Sequence, residues 1–303
     1  MSIVSPDKKY LVTGASGFLG EALLARLEDL GCTNVVTISR NEGNLVQTKQ
    51  NFPWLEIVPG DISHPHCLHK TIEDVSGVFH LAAFKHVGMA ETHTRECIAS
   101  NTVGSMNLLD LTLGKSLDFV LGISTDKAAQ VVGMYGATKL LMEGLFHEYA
   151  RINPNTNYRI VRYGNVLYST GSVLCKWRDL LSKNKEVIVT DPSATRFFWT
   201  REQAIDLIFS CLENSTDTTP YCPDMKAMKI EDLLQAMANK YLPSDGELKI
   251  KTIGLQKGEN LHEKILEEGP YSNEVELYSV SEIEEMVGKI SLYSPAAHLN
   301  PTA

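Results

Sequence analysis

A glycine-rich turn near the amino terminus constrains the fold of this chain more than any other feature. Residues 10–13 form a short run predicted as a buried strand, and three glycines follow it at regular spacing, Gly14, Gly17 and Gly20. Apolar residues then recur at helical spacing as far as Gly31, a residue type that often follows a helix end. Gly14 permits the tight turn, Gly17 lets backbone approach a pyrophosphate, and Gly20 lets the helix lie close on the strand. Strand, turn and helix therefore predict the first unit of a dinucleotide-binding fold.

Predicted strands and helices continue to alternate beyond this unit. Further strands are predicted at residues 34–38, 55–58, 77–81, 119–123 and 158–163. This alternation favours an α/β fold, a Rossmann-type doubly wound parallel sheet, in which ligands bind beyond the carboxyl ends of the strands.

The regularity of the pattern also predicts the domain organisation. Residues 1–170 are expected to form an NADP-binding Rossmann domain, to which 200–215 return. The less regular segments 171–199 and 216–292 are expected to form a smaller substrate-binding lobe. Residues 293–303 are expected to be a loose tail.

The residues best suited to chemistry lie between positions 124 and 143. Tyr135 and Lys139 are four apart and share one face of a predicted helix. We expect the Lys139 ammonium to lower the pKa of the phenol, and Ser124 or Thr125, at a strand end, to bind the same substrate hydroxyl. These groups suit the removal of a proton from an alcohol whose hydride leaves for a nicotinamide. Tyr and Lys at this spacing also occur on surface helices, but the preceding strand and glycine-rich segment favour catalysis.

Asp126 and Lys127 form a second chemical pair directly after the Ser-Thr. A simple alcohol dehydrogenase does not need them, whereas an enzyme that breaks a C–H bond beside a carbonyl and expels a hydroxyl needs a base and an acid. The alternative is a solvated pair of loop charges. The position at a strand end favours the functional interpretation.

Residues at the tip of the second strand indicate the type of dinucleotide. Ser39, Arg40 and Asn41 stand where an NAD enzyme usually carries Asp or Glu, and an Arg suits a 2′-phosphate, so NADP is favoured over NAD unless Arg40 is merely solvated. The other predicted cofactor contacts come from the glycine-rich turn, later strand ends and the helices near them, namely Gly14, Ser16, Gly17, Phe18, Leu19, Asp61, Ile62, Ala82, Ala83, Lys85, Asn101, Tyr135 and Lys139.

Composition excludes several classes of function. The net charge of -9 argues against a general nucleic-acid binder, although it allows a phosphorylated small substrate. The six cysteines show no metal-ligand spacing, and His64, His66 and His69 have no completing carboxylate or Cys, so no metal site is predicted and the thiols are expected to be reduced in the cytoplasm. We expect no membrane partner, because no segment approaches the ~20 apolar residues of a membrane span.

Longer motifs resemble those of a known family. The chain is similar to extended short-chain dehydrogenases/reductases, and within them to the soluble UDP-N-acetylglucosamine 4,6-dehydratases of polysaccharide and pseudaminic-acid biosynthesis. TGASGFLG and YGATK are shared by all such dehydrogenases, whereas STDKAA, RYGNVLYSTGSV, TDPSATRFFWT and KGENLHEKILEE are more specific and occur in the family's order.

The resemblance implies a reaction and roles for these residues. Tyr135, with Lys139 and Thr125, would take the C4 hydroxyl proton while a hydride passes to a tightly bound NADP that is recycled in each turnover. Lys127 would remove the C5 proton, and Asp126 would protonate the departing C6 hydroxyl. Hydride would then return to C6, often with inversion at C5.

The resemblance also implies a UDP-sugar substrate and a homo-oligomer, a dimer or higher. Arg196 would contact the diphosphate, as a bidentate charged group suits. The predicted substrate-binding residues come from the loop after the fourth strand and from the carboxyl-terminal motifs, namely Lys85, His86, Glu91, Asn165, Val166, Ser172, Val173, Thr190, Arg196, Glu259 and His262.

Departures from the family leave alternatives open. Segment 130–134 lacks the usual Pro, Gly88 replaces another Pro, and Thr170 replaces an Arg, which puts loop shape and sugar choice in doubt. The rival enzymes are a 5,6-dehydratase that releases an unsaturated sugar and a UDP-sugar 4-epimerase, against which the Asp126–Lys127 pair argues. A non-enzymatic alternative is an NADP-binding sensor or interaction protein.

Overall fold

A six-stranded parallel sheet lies at the centre of the computed structural model, which describes residues 3–289. Its strand order is β3-β2-β1-β4-β5-β6. The strands of this sheet, in chain order, are β1 (Tyr10–Thr13), β2 (Val35–Ser39), β3 (Glu56–Pro59), β4 (Gly77–His80), β5 (Phe119–Thr125) and β6 (Tyr158–Tyr163). Short strands that follow lie outside it, namely β7 (Asn165–Val166), β8 (Val187–Val189), β9 (Thr195–Arg196), β10 (Phe198–Trp199), β11 (Met228–Lys229) and β12 (Ile250–Thr252). The predicted Rossmann-type α/β fold is confirmed. The predicted tail, 293–303, lies outside the described residues.

The helices of the described residues pack on both faces of this sheet and around a second core in the carboxyl-terminal part. In chain order they are α1 (Phe18–Asp29), α2 (Glu42–Asn51), α3 (Pro65–Leu68), α4 (Val87–Ala90), α5 (Thr94–Ile98), α6 (Gly104–Asp110), α7 (Met134–Ile152), α8 (Val173–Leu181), α9 (Arg201–Asn214), α10 (Ile230–Tyr241) and α11 (Val280–Lys289). A π-helical segment, Ala99–Val103, joins α5 to α6. In the part of the chain that the structure describes, no helix is long and apolar enough to cross a membrane.

The sheet is buried on both faces because its central strands are nearly continuous apolar runs, as parallel strands between helix layers require. Every residue of β1 and β4 is buried, and Tyr10 lies opposite Val35 on one side and Gly77 on the other. Helices α1 and α9 pack together on one face, and α6 and α7 pack on the other.

A glycine sets the position of α7 on the sheet. A Cβ atom on Gly122 of β5 would lie 2.6 Å from Cζ of Phe146, which is fully buried in α7. The ring occupies the space that this glycine leaves, so α7 lies directly on β5. The amino-terminal end of α7, which carries Tyr135, is thereby held near the carboxyl end of β5.

The carboxyl-terminal part of the chain builds a second core beside the sheet. Helices α8, α10 and α11 enclose Trp177, which is 2% exposed. Three short strand pairs, β7–β10, β8–β12 and β9–β11, lie outside the central sheet. Helix α9 leaves this region and packs on α1 and β6. The division into a cofactor domain and a substrate lobe stays a prediction.

Candidate active site

A cavity of about 900 Å³ lies across the carboxyl ends of the central strands. It reaches the point where the strand order reverses, between β1 and β4, where α/β folds of this type bind ligands. Twenty-three of the residues predicted from the sequence line it: Gly14, Ser16, Gly17, Phe18, Leu19, Ser39, Arg40, Asp61, Ile62, Ala82, Ala83, Lys85, His86, Thr125, Lys127, Tyr135, Lys139, Asn165, Val166, Ser172, Val173, Arg196 and Glu259.

One end of the cavity fits the pyrophosphate of a dinucleotide. Gly14 has φ +74°, and a Cβ there would lie 2.8 Å from the Ala82 nitrogen. A Cβ on Gly20 would overlap the Gly14 carbonyl, so only glycine lets α1 start this close to β1. Gly17 caps α1 without a side-chain hydrogen bond. The first backbone N–H groups of this twelve-residue helix are therefore available to an anion.

The neighbouring rim offers groups for an adenosine ribose. The Ser16 hydroxyl donates to Ser39 Oγ at 3.3 Å, and Arg40 lies 3.5 Å from the Asp61 carboxylate with 59% of its side chain exposed. No acidic residue occupies the tip of β2 itself. Asn41 was expected to contact the cofactor, but its side chain accepts from the Asn44 amide and caps α2.

Close packing against the β5–α7 turn holds Tyr135 beside Lys127. Thr125 caps a single 3₁₀ turn, Asp126–Ala128, by accepting from the Lys127 amide. A Cβ on Gly136 would overlap the Lys127 carbonyl, so glycine at this position lets the first turn of α7 pack against the loop. This close approach brings the phenol to the acid-base pair.

The predicted lowering of the Tyr135 pKa is not observed. Burial raises the pKa of Tyr135 to about 12, and the charge that opposes this rise is that of Lys127. The Lys139 ammonium instead donates to the Ile123 carbonyl at 2.6 Å. Burial lowers the pKa of Lys139 itself to about 8, although the charge of Glu143 opposes the shift.

The structure distinguishes the two candidate hydroxyls at the end of β5. Ser124 donates to Glu143, whose carboxylate is also bound by the buried Arg162 guanidinium at 2.6 Å. Thr125 donates to Asp126 Oδ1 at 2.7 Å, and its hydroxyl acts to lower the pKa of the Tyr135 phenol. Thr125, not Ser124, is therefore the hydroxyl that lies next to the phenol.

Lys127 lies between two buried carboxyl groups. Its Nζ is 3.1 Å from Asp126 Oδ1 and 3.1 Å from Glu263 Oε1. The Arg196 Nε lies 3.2 Å from the same Glu263 oxygen, and Asn165 donates to the other at 3.5 Å. The Glu263 side chain is 5% exposed and lines the cavity, whereas Asp126 is completely buried behind Lys127 and is not among the residues that line it.

The three groups shift one another's proton affinity. Burial acts to lower the pKa of Lys127, but the charges of Asp126 and Glu263 outweigh it and raise that pKa. Burial acts to raise the pKa of Asp126, but Lys127 and hydrogen bonds from Glu263 and Thr125 bring it below its ordinary value. Burial and the charge of Asp126 raise the pKa of Glu263 to about 8. The cluster therefore holds an ammonium, a carboxylate and a carboxyl group that titrates near neutrality.

Glu263 was missed as a candidate from the sequence. It stands in the KGENLHEKILEE motif, in which Glu259 and His262 were singled out. His262 instead hydrogen-bonds the Thr195 hydroxyl at 2.8 Å, away from the cavity. Glu263 is buried, whereas Glu259, Glu267 and Glu268 of the same motif are not, and the sequence of a polar segment does not reveal this difference.

Three other predicted contacts also lie off the cavity. Asn101 is fully buried, and its amide binds the backbone of Phe84 on both sides, at 2.7 and 3.0 Å, so it shapes the loop after β4. Glu91 accepts from the Met134 amide at 2.7 Å and fixes the start of α7. Thr190, directly after β8, is not among the lining residues.

The Arg196 guanidinium lines the cavity, but the protein uses most of its donors. They bind the backbone carbonyls of Thr195, Leu261 and Asn260 at 2.7–2.8 Å, besides Glu263. Lys176 of α8, not singled out from the sequence, is a further cation on the cavity wall.

Comparison with known proteins gives a family and several relatives. Residues 10–285 match the family model described as "Polysaccharide biosynthesis protein". The chain is 34% identical over 262 residues to a UDP-N-acetylglucosamine 4,6-dehydratase (inverting) of Campylobacter jejuni, covering 84% of this chain and 76% of that protein. It is 30% identical over 268 residues to a UDP-glucose 4-epimerase of Rickettsia bellii, covering 86% and 78%.

Among solved structures, the fold is similar to that of Pen from Bacillus thuringiensis. The TM-score is 0.88 at 25% identity, and the match covers 95% of this chain and 99% of that one. The likeness therefore extends over the sheet, the cavity and the carboxyl-terminal region.

Proposed function

The chain belongs to the polysaccharide biosynthesis protein family, and from that membership we propose that it is a nucleotide-sugar dehydratase acting on UDP-N-acetylglucosamine. The product is a UDP-4-keto-6-deoxy sugar with inverted C5. The Campylobacter jejuni relative carries this activity and the word "inverting" in its name, which supports both the substrate and the stereochemistry.

One observation carries the proposal. Lys127, with its two carboxyl partners, lines the same cavity as Tyr135, so that a second acid-base centre adjoins the first. Oxidation at C4 alone requires only a group that takes the hydroxyl proton. Loss of water across C5 and C6 requires in addition a base for the C5 proton and an acid for the departing hydroxyl, which are the groups assembled around Lys127.

Different residues serve the oxidation at C4 and the loss of water across C5 and C6. Tyr135 takes the proton of the C4 hydroxyl, and the neighbouring Thr125 hydroxyl acts to lower the pKa of the phenol. A nicotinamide held in the cavity would supply the redox chemistry, as acceptor of a hydride from C4 and donor of a hydride to C6. The 4-ketone acidifies the C5 proton, which Lys127 removes once its own proton has moved to a neighbouring carboxyl.

We propose NADP as the cofactor. Arg40 offers an exposed guanidinium beside the Ser39 and Ser16 hydroxyls, a set that suits a 2′-phosphate. An acidic residue at the tip of β2, which would accept a ribose 2′-hydroxyl, is missing there. Asp61 orients Arg40 from the opposite side of the rim and does not replace such an acid.

We propose that the nucleotide end of the substrate lies along the β7 and α8 walls. Asn165, Val166, Ser172 and Val173 line this part of the cavity together with Lys176. Since the donors of Arg196 are largely bound to backbone carbonyls, its positive charge contributes to the diphosphate mainly at longer range.

A UDP-sugar 4-epimerase is the second candidate, and the name of the Rickettsia bellii relative favours it. This activity would use Tyr135 and the cofactor in the same way. It would leave Lys127 without a chemical task, which is why we place it second.

Incubation with UDP-N-acetylglucosamine in heavy water tests the proposal. The purified protein, with the cofactor that copurifies, should release a product that has lost one water and carries a C6 methyl group and deuterium at C5, as seen by mass spectrometry and proton NMR. Vinyl protons without a methyl group would indicate the 5,6-dehydratase. A C4 epimer of unchanged mass would overturn the dehydratase in favour of the epimerase.

A further inference from the structure

The two carboxyl groups around Lys127 have different access to the cavity. Asp126 has no exposed side-chain surface and lies behind the ammonium, whereas Glu263 contacts the same ammonium from the cavity side. A proton donor to a substrate hydroxyl must come within hydrogen-bond distance of it. Only Glu263 of this pair meets that condition without a rearrangement of the buried core.

Asp126 is instead connected to the other end of the site. Thr125 donates to Asp126 at 2.7 Å, and its hydroxyl is close enough to Tyr135 to act on the pKa of that phenol. Since a hydroxyl can accept one proton while it donates another, Tyr135, Thr125 and Asp126 form a path from the C4 hydroxyl into the buried cluster. Asp126 then contacts Lys127, which contacts Glu263.

We propose that Glu263 accepts a proton from Lys127 and delivers it to the hydroxyl that leaves C6, while buried Asp126 receives the proton that leaves the C4 hydroxyl. This inference rests on the proposed dehydratase function and assigns the donor that the function requires. Asp126 acts through Thr125 and Lys127 and touches no substrate atom.

The protons and electrons balance over one turnover. As C4–H leaves as a hydride to the nicotinamide, the O4 proton passes to Tyr135, whose own proton moves through Thr125 to Asp126. Lys127 gives a proton to Glu263, and the free amine takes the proton from C5. The C6–O bond then breaks with its electron pair on oxygen, which takes the Glu263 proton and leaves as water.

The cluster returns to its starting state in the second half. The hydride comes back to C6 while a solvent proton enters C5 on the face opposite Lys127, which inverts this centre. Lys127 keeps the proton taken from C5 in its ammonium group, and Asp126 releases to solvent, by way of Lys127, the proton that came from O4. One substrate proton and one substrate hydroxide have left as water, and every protein group has regained its initial charge.

This arrangement makes the elimination depend on pH. Glu263 accepts a proton only when it is ionised, and its pKa is raised to about 8 by burial and by Asp126, against the charges of Lys127 and Arg196. Because the accepting carboxylate becomes more abundant as pH rises through this pKa, water loss should become faster over the same range.

Single-turnover experiments on the holoenzyme distinguish Glu263 from Asp126 as the donor. Glu263→Gln should slow water loss by about 10²- to 10⁴-fold and remove its rise with pH, while C4 oxidation continues. The 4-keto sugar that accumulates is trapped with borodeuteride, which places deuterium at C4. Asp126→Asn should slow the appearance of this trapped ketone itself, because the acceptor for the O4 proton is gone.

The opposite pattern would overturn the proposal. If Asp126 donates directly, Asp126→Asn accumulates the trapped ketone at the wild-type rate and Glu263→Gln releases product normally. Glu263→Asp should recover part of the rate, and Glu267→Gln is the control that loosens the same segment without removing a carboxyl from Lys127. If wild-type protein neither forms the ketone nor loses water, the proposed function fails first, which is a separate result.

Discussion

Lys127 and Glu263 are in direct contact, with Nζ 3.1 Å from Oε1, although 136 positions separate them in the chain. The contact joins the end of β5 to the carboxyl-terminal segment, which Arg162 holds in place through the Ile265 carbonyl and the Glu267 carboxylate. The acid-base centre is therefore complete only when the last part of the chain has docked on the sheet.

Lys127→Met should slow dehydration much more than it slows the first oxidation. Without the amine, C5 loses its base, and we expect water loss to fall by about 10²- to 10⁴-fold. The measurement is the C6 methyl signal in proton NMR beside the borodeuteride-trapped ketone.

A matched control for this variant is Lys257→Met. Lys257 pairs with Glu91, and 83% of its side chain is exposed. Its loss should therefore leave turnover unchanged. A Lys127→Met protein that forms the methyl product at the wild-type rate would remove Lys127 from the mechanism.

The rate of C4 oxidation should decline at alkaline pH as Lys139 loses its proton. Its pKa is lowered to about 8 by burial, so the ammonium is present below this pH and is lost as pH rises through it. The rate of trapped ketone formation should fall over that range. Lys139→Met should be slower, by at least about tenfold for a lost charged contact, and flat with pH, because no group titrates there. If Lys139→Met keeps the decline with pH, a group other than Lys139 causes it.

The sequence predicted the sheet well because its signals are local. β6 spans the predicted residues 158–163, and β2 begins one residue later than predicted, at Val35. β5 continues to Thr125 instead of ending at 123, because Ser124 and Thr125 pair with β6. Polar residues at a strand end look like a loop in sequence, and only the neighbouring strand shows that they belong to the sheet.

The parts of the site that sequence did not predict depend on burial and on distant contacts. Burial and the charge of Asp126 raise the pKa of Glu263, and no spacing in the sequence marks this residue. Asn101 lies in the π-helical segment, where its amide binds the Phe84 backbone. The raised pKa of Tyr135 follows from burial, which outweighs the charge effect that spacing suggests.

Arg40→Ala should weaken NADP binding while leaving NAD binding almost unchanged. A guanidinium that binds a 2′-phosphate contributes about 1.5–3 kcal/mol, or roughly a tenfold to hundredfold change in the dissociation constant. The two constants are measured by calorimetry on protein freed of its cofactor. Lys8→Ala, which removes a charge paired with Asp118 at the amino ends of the strands, is the control. An equal loss for both dinucleotides would contradict the 2′-phosphate contact.

Arg162→Met should be strongly destabilising. Arg162 is 1% exposed and binds Glu143 at 2.6 Å and Glu267 at 2.8 Å, so its removal leaves the buried Glu143 carboxylate without a counter-charge. We expect the free energy of unfolding, measured with urea, to fall by about 3–5 kcal/mol, and the additional change Glu143→Gln to recover part of it. Arg26→Met breaks the exposed pair with Asp206 and should cost less than about 1 kcal/mol. Equal losses in the two Arg variants would mean that burial of the first pair contributes nothing.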